Sequence, residues 1–251
     1  MSGATPVLSM KIIDKILYYI SVPKCIGCGE KLEENEKALC RACFCDYENQ
    51  KNRQCSKCFK ILSKCSCSNE YVDAHFVHKL VKVFRYSARD NAVSNMLVYS
   101  LKRDNRKDVL DFLSDELAVA IKSSVDNFEK YIVTSVPRRK KDVVKYGFDH
   151  AELLARTVSD KLGVDYLKLL RSKSKVPQKK TANKEERIKN ANFELKKDVD
   201  LSDFNVIIVD DVVTTGASIG AVAMNLKSAG AKKIVGAALC IAYKDKEQLI
   251  L

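Results

Sequence analysis

The sequence contains no apolar run long enough to cross a membrane. The longest run near its start, Ile16 to Ile20, has five residues and follows several charged positions. A membrane-spanning helix needs about 18 or more apolar residues, and a secretory signal needs a continuous apolar region behind a basic start. We therefore predict neither a transmembrane helix nor a secretory signal, and we expect a cytoplasmic protein.

Cysteine is nearly absent outside one short segment. Nine of the ten cysteines lie between Cys25 and Cys67, and only Cys240 lies elsewhere. In a chain without a secretory signal, such clustering indicates metal binding before disulfides. A disulfide framework and a redox-sensing cluster are the alternatives to structural zinc.

Eight of these cysteines form two spaced sets. The first set is Cys25, Cys28, Cys40 and Cys43, and the second is Cys55, Cys58, Cys65 and Cys67. Paired Cys-x2-Cys turns are typical of zinc ribbons, in which four thiolates surround one Zn²⁺ without an open position. We therefore predict two structural zinc ions.

The second cysteine set departs from the usual ribbon pattern. Its last pair, Cys65 and Cys67, is one residue short, and Phe59 stands where Gly29 follows the first pair. Cys45 is a spare cysteine that could replace Cys43 as the fourth ligand. Exchange of pairs between the two sets also stays open at this stage.

Length and charge indicate a folded, basic protein. The 251 residues suffice for one good-sized domain plus a small module, and the hydrophobic share of 46% provides for a core. The formal net charge of +12 points to anionic partners such as phosphates, nucleic acid or an anionic membrane surface. The alternative is a well-solvated, lysine-rich surface.

The chain divides into three zones. Residues 1–20 are a leader with one amphipathic helix, residues 21–70 are the cysteine module, and residues 71–251 alternate between strand and helix patterns. We predict strands at 131–136, 206–209 and 234–241. Because these strands are apolar and alternate with helices, the predicted fold is α/β with a parallel sheet flanked by helices.

Two polar segments interrupt the alternation. One is the basic stretch Arg138 to Lys145, predicted as a loop after a strand, and the other is Arg171 to Asn192. Long polar loops in a compact domain are often mobile covers of an active site. The alternative is an ordinary surface connection.

The stretch VIIVDDVVTTGAS, residues 206–218, carries the strongest functional pattern. A strand runs into Asp210 and Asp211, and a turn of small and hydroxyl residues leads into a helix. Amides at a helix start bind phosphate, and paired carboxylates accept hydrogen bonds from vicinal sugar hydroxyls. The chain lacks a P-loop lysine and a GxGxxG pattern, which disfavours an NTPase or dinucleotide site. The alternative is a capped helix without a ligand.

This stretch resembles the 5-phosphoribosyl-1-pyrophosphate (PRPP) signature of type I phosphoribosyltransferases. The resemblance implies that Asp210 and Asp211 are catalytic and hold the ribose hydroxyls. It implies PRPP binding, with Mg²⁺, by Asp210, Asp211, Val212, Val213, Thr214, Thr215, Gly216, Ala217 and Ser218. It implies a pyrophosphate loop at Pro137, Arg138, Arg139, Lys140 and Lys141, and a mobile catalytic loop at 178–193.

The order of the motifs resembles the ComF family of ComFC-type competence proteins. The features that carry the resemblance are the double cysteine module, VPRRKK followed by GFDHAELLA, the spaced Gln, Arg, Asn and Phe within 178–193, and VIIVDDVVTTGAS. Cys45, Phe59 and the Cys65–Cys67 spacing depart from the family pattern. The resemblance implies a bacterial protein that handles single-stranded DNA at the inner membrane during transformation. It also implies a ComFA-type helicase partner and peripheral membrane association.

Two classes of function follow. The first is a phosphoribosyltransferase of nucleotide metabolism with an unidentified acceptor and no DNA role. The second is a nucleic-acid-binding protein that retains the PRPP site and acts in DNA uptake. Binding to the phosphate backbone of DNA weakens steeply as the salt concentration rises, whereas PRPP turnover would weaken less. Salt dependence therefore distinguishes the two classes of function.

Overall fold

The computed structural model describes residues 23–173 and 191–242, apart from residues 56, 69, 90 and 105 and the side chain of Tyr146. The predicted leader, residues 1–20, lies outside the described residues. So does most of the predicted catalytic loop, from residue 178 to residue 190. No helix within the described part of the chain has the length and apolar character needed to span a bilayer.

A four-stranded parallel sheet forms the centre of the fold. Its strands are β1 (Lys79–Arg85), β2 (Tyr131–Ser135), β5 (Asn205–Val213) and β6 (Ile234–Ile241), in the spatial order β1-β6-β5-β2. All three ladders are parallel. The short strands β3 (Leu170–Ser172) and β4 (Phe193–Leu195) form a separate antiparallel pair. The predicted parallel α/β sheet is confirmed, and β6 has the predicted bounds.

Seven α-helices and one 3-10 turn are described. The helices are α1 (Arg41–Lys51), α2 (Glu70–Asp73), α3 (Val93–Arg103), α4 (Lys107–Lys122), α5 (Lys140–Tyr146), α6 (His150–Leu162) and α7 (Ala217–Ser228), and the 3-10 turn is Leu62–Lys64. Helices α4 and α6 pack together on one face of the sheet, and α7 packs on the other face beside β4. Alternate residues of each strand therefore enter two separate cores.

Local chemistry explains the bounds of helix α6. Asp149 caps its start by accepting hydrogen bonds from the amides of Ala151 and Glu152. Gly163 ends it in a left-handed conformation with φ of 69°. Leu154 and Val158 recur at helical spacing and are fully buried. The capping residue, the helical spacing of the apolar residues and the terminating glycine are all local signals, so the sequence is sufficient to predict this helix.

The predicted basic loop at 138–145 is wrong for most of its length, because residues 140–146 form helix α5. Arg139 donates two hydrogen bonds to Asp142, with distances of 2.8 and 2.7 Å, and this pair stabilises the first turn. Gly147 then ends the helix with φ of 79°. A charge-rich segment suggested a loop, but oppositely charged residues three apart favour a helix.

The cysteine module covers the outer side of the edge strand β1. Helix α1 and the 3-10 turn both pack against β1. The first cysteine set joins the core that contains Val81 and Val83, whereas the second joins the core that contains Leu80. The module thus straddles the sheet edge, which otherwise would present an unpaired strand to other chains.

Tyr47 connects the module to the main body of the fold. Its ring is fully buried against Phe84 and Phe112. Its hydroxyl donates to Glu116 Oε2 at 2.8 Å, and Lys51 Nζ donates to the same oxygen at 2.9 Å. A buried aromatic residue with a satisfied hydroxyl contributes both packing and orientation.

Replacing Tyr47 by Phe should lower the free energy of unfolding by about 0.5–1.5 kcal/mol, the usual contribution of one hydrogen bond. The measurement is urea denaturation of the zinc-loaded protein, followed by circular dichroism and tyrosine fluorescence. We expect one coincident transition, because the module and the sheet share their cores. Tyr131→Phe is the control, because its ring lies in the same core and its hydroxyl forms no hydrogen bond among the described residues. Separate transitions for the two probes would contradict the shared core.

Candidate functional site

The two adjacent carboxylates lie at the carboxyl end of the sheet. Strand β5 continues four residues beyond the predicted Val209 and includes Asp210 and Asp211, since Asp210 pairs with Ala238 of β6. A short turn follows, and Gly216 adopts φ of 80° before α7 begins. Ligands of parallel α/β sheets bind at this edge, beyond the carboxyl ends of the strands.

Asp211 is buried and surrounded by basic groups from three other segments. Its Oδ2 lies 2.7 Å from His150 Nε2, 3.1 Å from Arg138 Nη2 and 3.2 Å from Lys102 Nζ. The residue is 3% exposed. Burial alone would raise the pKa of this carboxyl, but Lys102, Arg138 and His150 outweigh burial and hold the pKa well below its ordinary value. Asp211 is therefore an ionised anchor.

Asp210 has the opposite electrostatic character. Burial, together with the neighbouring charge of Asp211, raises the pKa of the Asp210 carboxyl well above its ordinary value. Its Oδ1 accepts the amide of Asp211 at 2.9 Å, and the residue is partly exposed at the sheet edge. Of the two carboxylates, Asp210 is the more accessible to a ligand.

The predicted pyrophosphate loop meets the acidic pair. Pro137, Arg138 and Arg139 connect β2 to α5, and Arg138 reaches Asp211. Lys140 and Lys141 lie in the first turn of α5 with exposed side chains. Strands β2 and β5 are neighbours, so their carboxyl ends bring these basic and acidic groups to one place.

The turn between β5 and α7 offers hydroxyl groups and amides. Thr214, Thr215 and Ser218 are partly exposed. Thr215 Oγ1 accepts the amide of Ala217 at 3.3 Å, which fixes the turn. The amides at the start of α7 point towards the same edge, as helix geometry requires, and they favour an anion.

Sequence reasoning missed three residues of this site. Lys102 and His150 contact Asp211, and Asp149 Oδ2 accepts the amide of Arg138 at 3.3 Å. Asp149 and His150 lie in the GFDH string that contributed to the family resemblance, but their sequence position did not reveal these contacts. Lys102 belongs to a basic run that has no local sign of a buried partner.

Both cysteine sets form compact groups. Within each set, all four sulfurs lie within 4.8 Å of one another. The first set is Cys25, Cys28, Cys40 and Cys43, and the second is Cys55, Cys58, Cys65 and Cys67. A tetrahedral zinc with Zn–S bonds of about 2.3 Å requires sulfurs about 3.8 Å apart. The observed distances of 3.7 Å between Cys28 and Cys40, and 3.5 Å between Cys58 and Cys65, are close to this value.

The chemistry of the sulfurs also fits a metal. Zinc binds cysteine as the thiolate, and four cysteine sulfurs are a usual ligand set of a closed structural zinc site. Cys43 belongs to the first group, whereas Cys45 is exposed on α1 and lies outside it. Each group consists of two pairs adjacent in sequence. Both tetrads could hold zinc as structural sites.

Comparison with known proteins agrees with this architecture. Residues 148–250 match the phosphoribosyl transferase domain family. Competence protein ComFC of Streptococcus pneumoniae is 24% identical over 226 residues, covering 84% of this chain and 96% of that protein. These similarities support a ComFC-type protein. A purine phosphoribosyltransferase from Pyrococcus horikoshii matches 54% of this chain and 84% of its own, with 21% identity and a TM-score of 0.35.

Asparagine at the two acidic positions should change stability in opposite directions at pH 7. Asp210→Asn should raise the free energy of unfolding, because the neutral amide avoids the charge that burial and Asp211 disfavour. Asp211→Asn should lower it by about 3–5 kcal/mol, because Arg138 and Lys102 lose their buried partner. Chemical denaturation measures both changes.

The gain from Asp210→Asn should depend on pH. The folded protein keeps the proton of Asp210 to a higher pH than the unfolded chain does, so stability falls as pH rises above about 4. The variant avoids this loss, and its advantage should vanish at pH 4 and below. A gain independent of pH would show that the carboxyl of Asp210 is not destabilised.

Proposed function

We propose that the protein binds PRPP with Mg²⁺ at the carboxyl edge of the sheet. The observation that carries the proposal is the meeting of the acidic pair on β5 with the arginine loop after β2. A phosphate and a ribose bound side by side would use both groups together. The match of residues 148–250 to the phosphoribosyl transferase domain family supports the same site.

Each part of the edge has a chemical role in this proposal. Asp210 accepts hydrogen bonds from the ribose hydroxyls, with Asp211 behind it. The turn at 214–218 donates amides and hydroxyls to the 5′-phosphate. Lys140 and Lys141, exposed at the start of α5, neutralise the pyrophosphate. Magnesium bound with PRPP supplies further positive charge to the pyrophosphate group.

Arg138 connects the two halves of the proposed site. Its Nη2 donates to Asp211 and its amide donates to Asp149, so the loop is held before any ligand arrives. Preorganised charge costs little reorganisation when a ligand binds. In a transfer reaction, a nucleophile would attack C1 of the ribose as the C1–O bond to pyrophosphate breaks, and this loop would stabilise the departing charge.

Calorimetric titration with PRPP and Mg²⁺ tests the site. Asp210→Ala should weaken binding about tenfold, because the hydrogen bonds from two ribose hydroxyls are lost, each contributing about 0.5–1.5 kcal/mol. Asp203→Ala is the matched control, since Asp203 is exposed near the amino end of β5 and pairs only with Lys232 among the described residues. Equal PRPP affinity of the wild type and Asp210→Ala would refute the site.

A second function, the binding of single-stranded DNA, is favoured by a comparison of the two cysteine turns. They have the same backbone, since Gly29 N donates to Cys25 O at 2.9 Å and Phe59 N donates to Cys55 O at 2.8 Å. Gly29 and Phe59 both have positive φ, at 79° and 58°. The second turn thus places a phenylalanine where glycine is the ordinary residue.

Phe59 is 73% exposed, so its packing does not offset its backbone conformation. A left-handed conformation costs a non-glycine residue about 1–2 kcal/mol. The exposed ring of Phe59 is available to a partner outside the fold. Stacking of a nucleic-acid base is one contact that such a ring makes, contributing about 1–3 kcal/mol per base.

The charges around Phe59 favour a polyanion. Residues 49–69 contain five Lys or Arg residues and no Asp or Glu, whereas residues 24–48 contain four basic and six acidic residues. Lys57, Lys60 and Lys64 are exposed near Phe59 in sequence. The second half of the module therefore combines an aromatic ring with unbalanced positive charge, the pattern of a single-strand binding surface.

This surface fits a role in DNA uptake during transformation. The relative from Streptococcus pneumoniae is a competence protein. We infer that this chain binds single-stranded DNA in the cytoplasm, together with a ComFA-type helicase and in peripheral contact with the inner membrane. In the alternative, a phosphoribosyltransferase of nucleotide metabolism, PRPP binds and the second turn of the module has no DNA affinity.

Fluorescence anisotropy with a labelled oligo-dT strand tests the DNA surface. Phe59→Gly should weaken binding about 5–100-fold, from the stacking contribution of one base, and should leave PRPP binding unchanged. Phe76→Gly is the matched control, because Phe76 is also exposed and has φ of 62°. Replacing Lys57 and Lys60 by Gln should reduce the salt dependence of binding. Equal losses for Phe59→Gly and Phe76→Gly would count against this surface.

A further inference from the structure

Lys82 is a buried lysine in the middle of strand β1. It is 1% exposed. Its Nζ donates to the carbonyl of Cys67, and a second carbonyl, that of Leu80, lies 3.4 Å away. Among the described residues, no carboxylate forms an ion pair with it. A lysine in such a position is uncommon, because lysine is almost never fully buried without a partner.

A buried ammonium group requires a negative counterpart. Its effective desolvation penalty is several kcal/mol, and carbonyl dipoles offset only part of this cost. Lys82 lies on the same face of β1 as Leu80, which belongs to the core containing Cys55 and Cys65. The Nζ of Lys82 donates to the carbonyl of Cys67, which belongs to the same cysteine set. The second cysteine set is thus its anionic neighbour.

A filled four-thiolate site supplies the missing negative charge. Zn²⁺ with four thiolates has a net charge of −2. We propose that Lys82 is the counter-ion of the second cysteine tetrad, reducing its charge to −1 and holding the carbonyl of Cys67 in place. This proposal rests on zinc binding by the tetrad and does not depend on PRPP or DNA binding.

Lys82 contacts the last cysteine pair, which has the short spacing. In the Cys65-x-Cys67 turn, the amide of Cys67 lies 3.4 Å from Cys65 Sγ and donates to it. The carbonyl of the same residue turns towards β1 and accepts from Lys82. Lys82 therefore fixes the part of the site that lacks the usual spacing, as partners beyond the ligands do in other metal sites.

The first tetrad has a different electrostatic environment. The basic residue near Cys25 is Arg106, whose Nη1 donates to the carbonyl of Lys24 at 2.9 Å. Arg106 is already paired with Asp108 at 2.5 Å. Its charge is balanced without the thiolates, so removing Lys82 should affect only the second tetrad. The first tetrad serves as an internal reference.

Zinc competition with a chromogenic chelator tests the proposal on the full-length protein. In Lys82→Met, one of two zinc ions should bind about 10–100-fold more weakly, the usual effect of losing a partner beyond the ligands, while the other stays unchanged. Lys79→Met is the matched control, because Lys79 belongs to the same strand and its Nζ donates to the carbonyl of Ser124 at 3.0 Å. Lys79→Met should leave both affinities unchanged.

A second variant separates charge from hydrogen bonding and covers a failure of Lys82→Met to fold. Lys82→Gln keeps a donor for the carbonyl of Cys67 but has no charge. If Lys82 acts as a counter-ion, Lys82→Gln should also lower the affinity for one of the two zinc ions about tenfold or more. Wild-type zinc affinity in Lys82→Gln would overturn the proposal, as would equal weakening of both ions in either variant.

Discussion

The buried carboxylate of Asp211 is the constraint on which the candidate site depends. Lys102 from α3, Arg138 from the loop after β2 and His150 from α6 all reach this one group. A buried charge is tolerated only with partners, so these three segments must stay together at the end of β5. The arginine loop is thereby held beside the acidic pair. The repulsion that Asp211 exerts also raises the pKa of Asp210, so the same charge organises the loop and tunes its neighbour.

Edge strand β1 imposes a second constraint. The cysteine module covers this strand and enters both cores of the sheet, so the module is part of the folded unit and not an appendage. Strand β6 connects β1 to β5. The cysteine module therefore packs on the same sheet that presents the acidic pair. Lys82 belongs to this arrangement, because a lysine buried in β1 needs the charge of the adjacent tetrad.

The two cysteine turns illustrate how a common backbone can acquire separate roles. Both turns share their hydrogen bonds and the sign of φ at the position after the second cysteine. One has glycine and acidic neighbours, and the other has phenylalanine and basic neighbours. A metal bound to each tetrad would fix the backbone in either case, which would leave the side chains at the tip free to contact a partner. The proposed DNA surface uses this freedom at Phe59.

The sequence by itself determined the parallel α/β fold, both cysteine sets, strand β6 and the position of the acidic turn. Those features follow from periodicity, spacing and caps, which act over a few residues. The helix at Lys140–Tyr146 also depends on local charges, but its run of basic residues favours a loop prediction. Only the tertiary structure decided the partners of Asp211, the burial of Lys82 and the packing of the cysteine module against β1. These depend on residues distant in sequence, and the free energy of a buried charge is set by whichever groups the fold brings beside it.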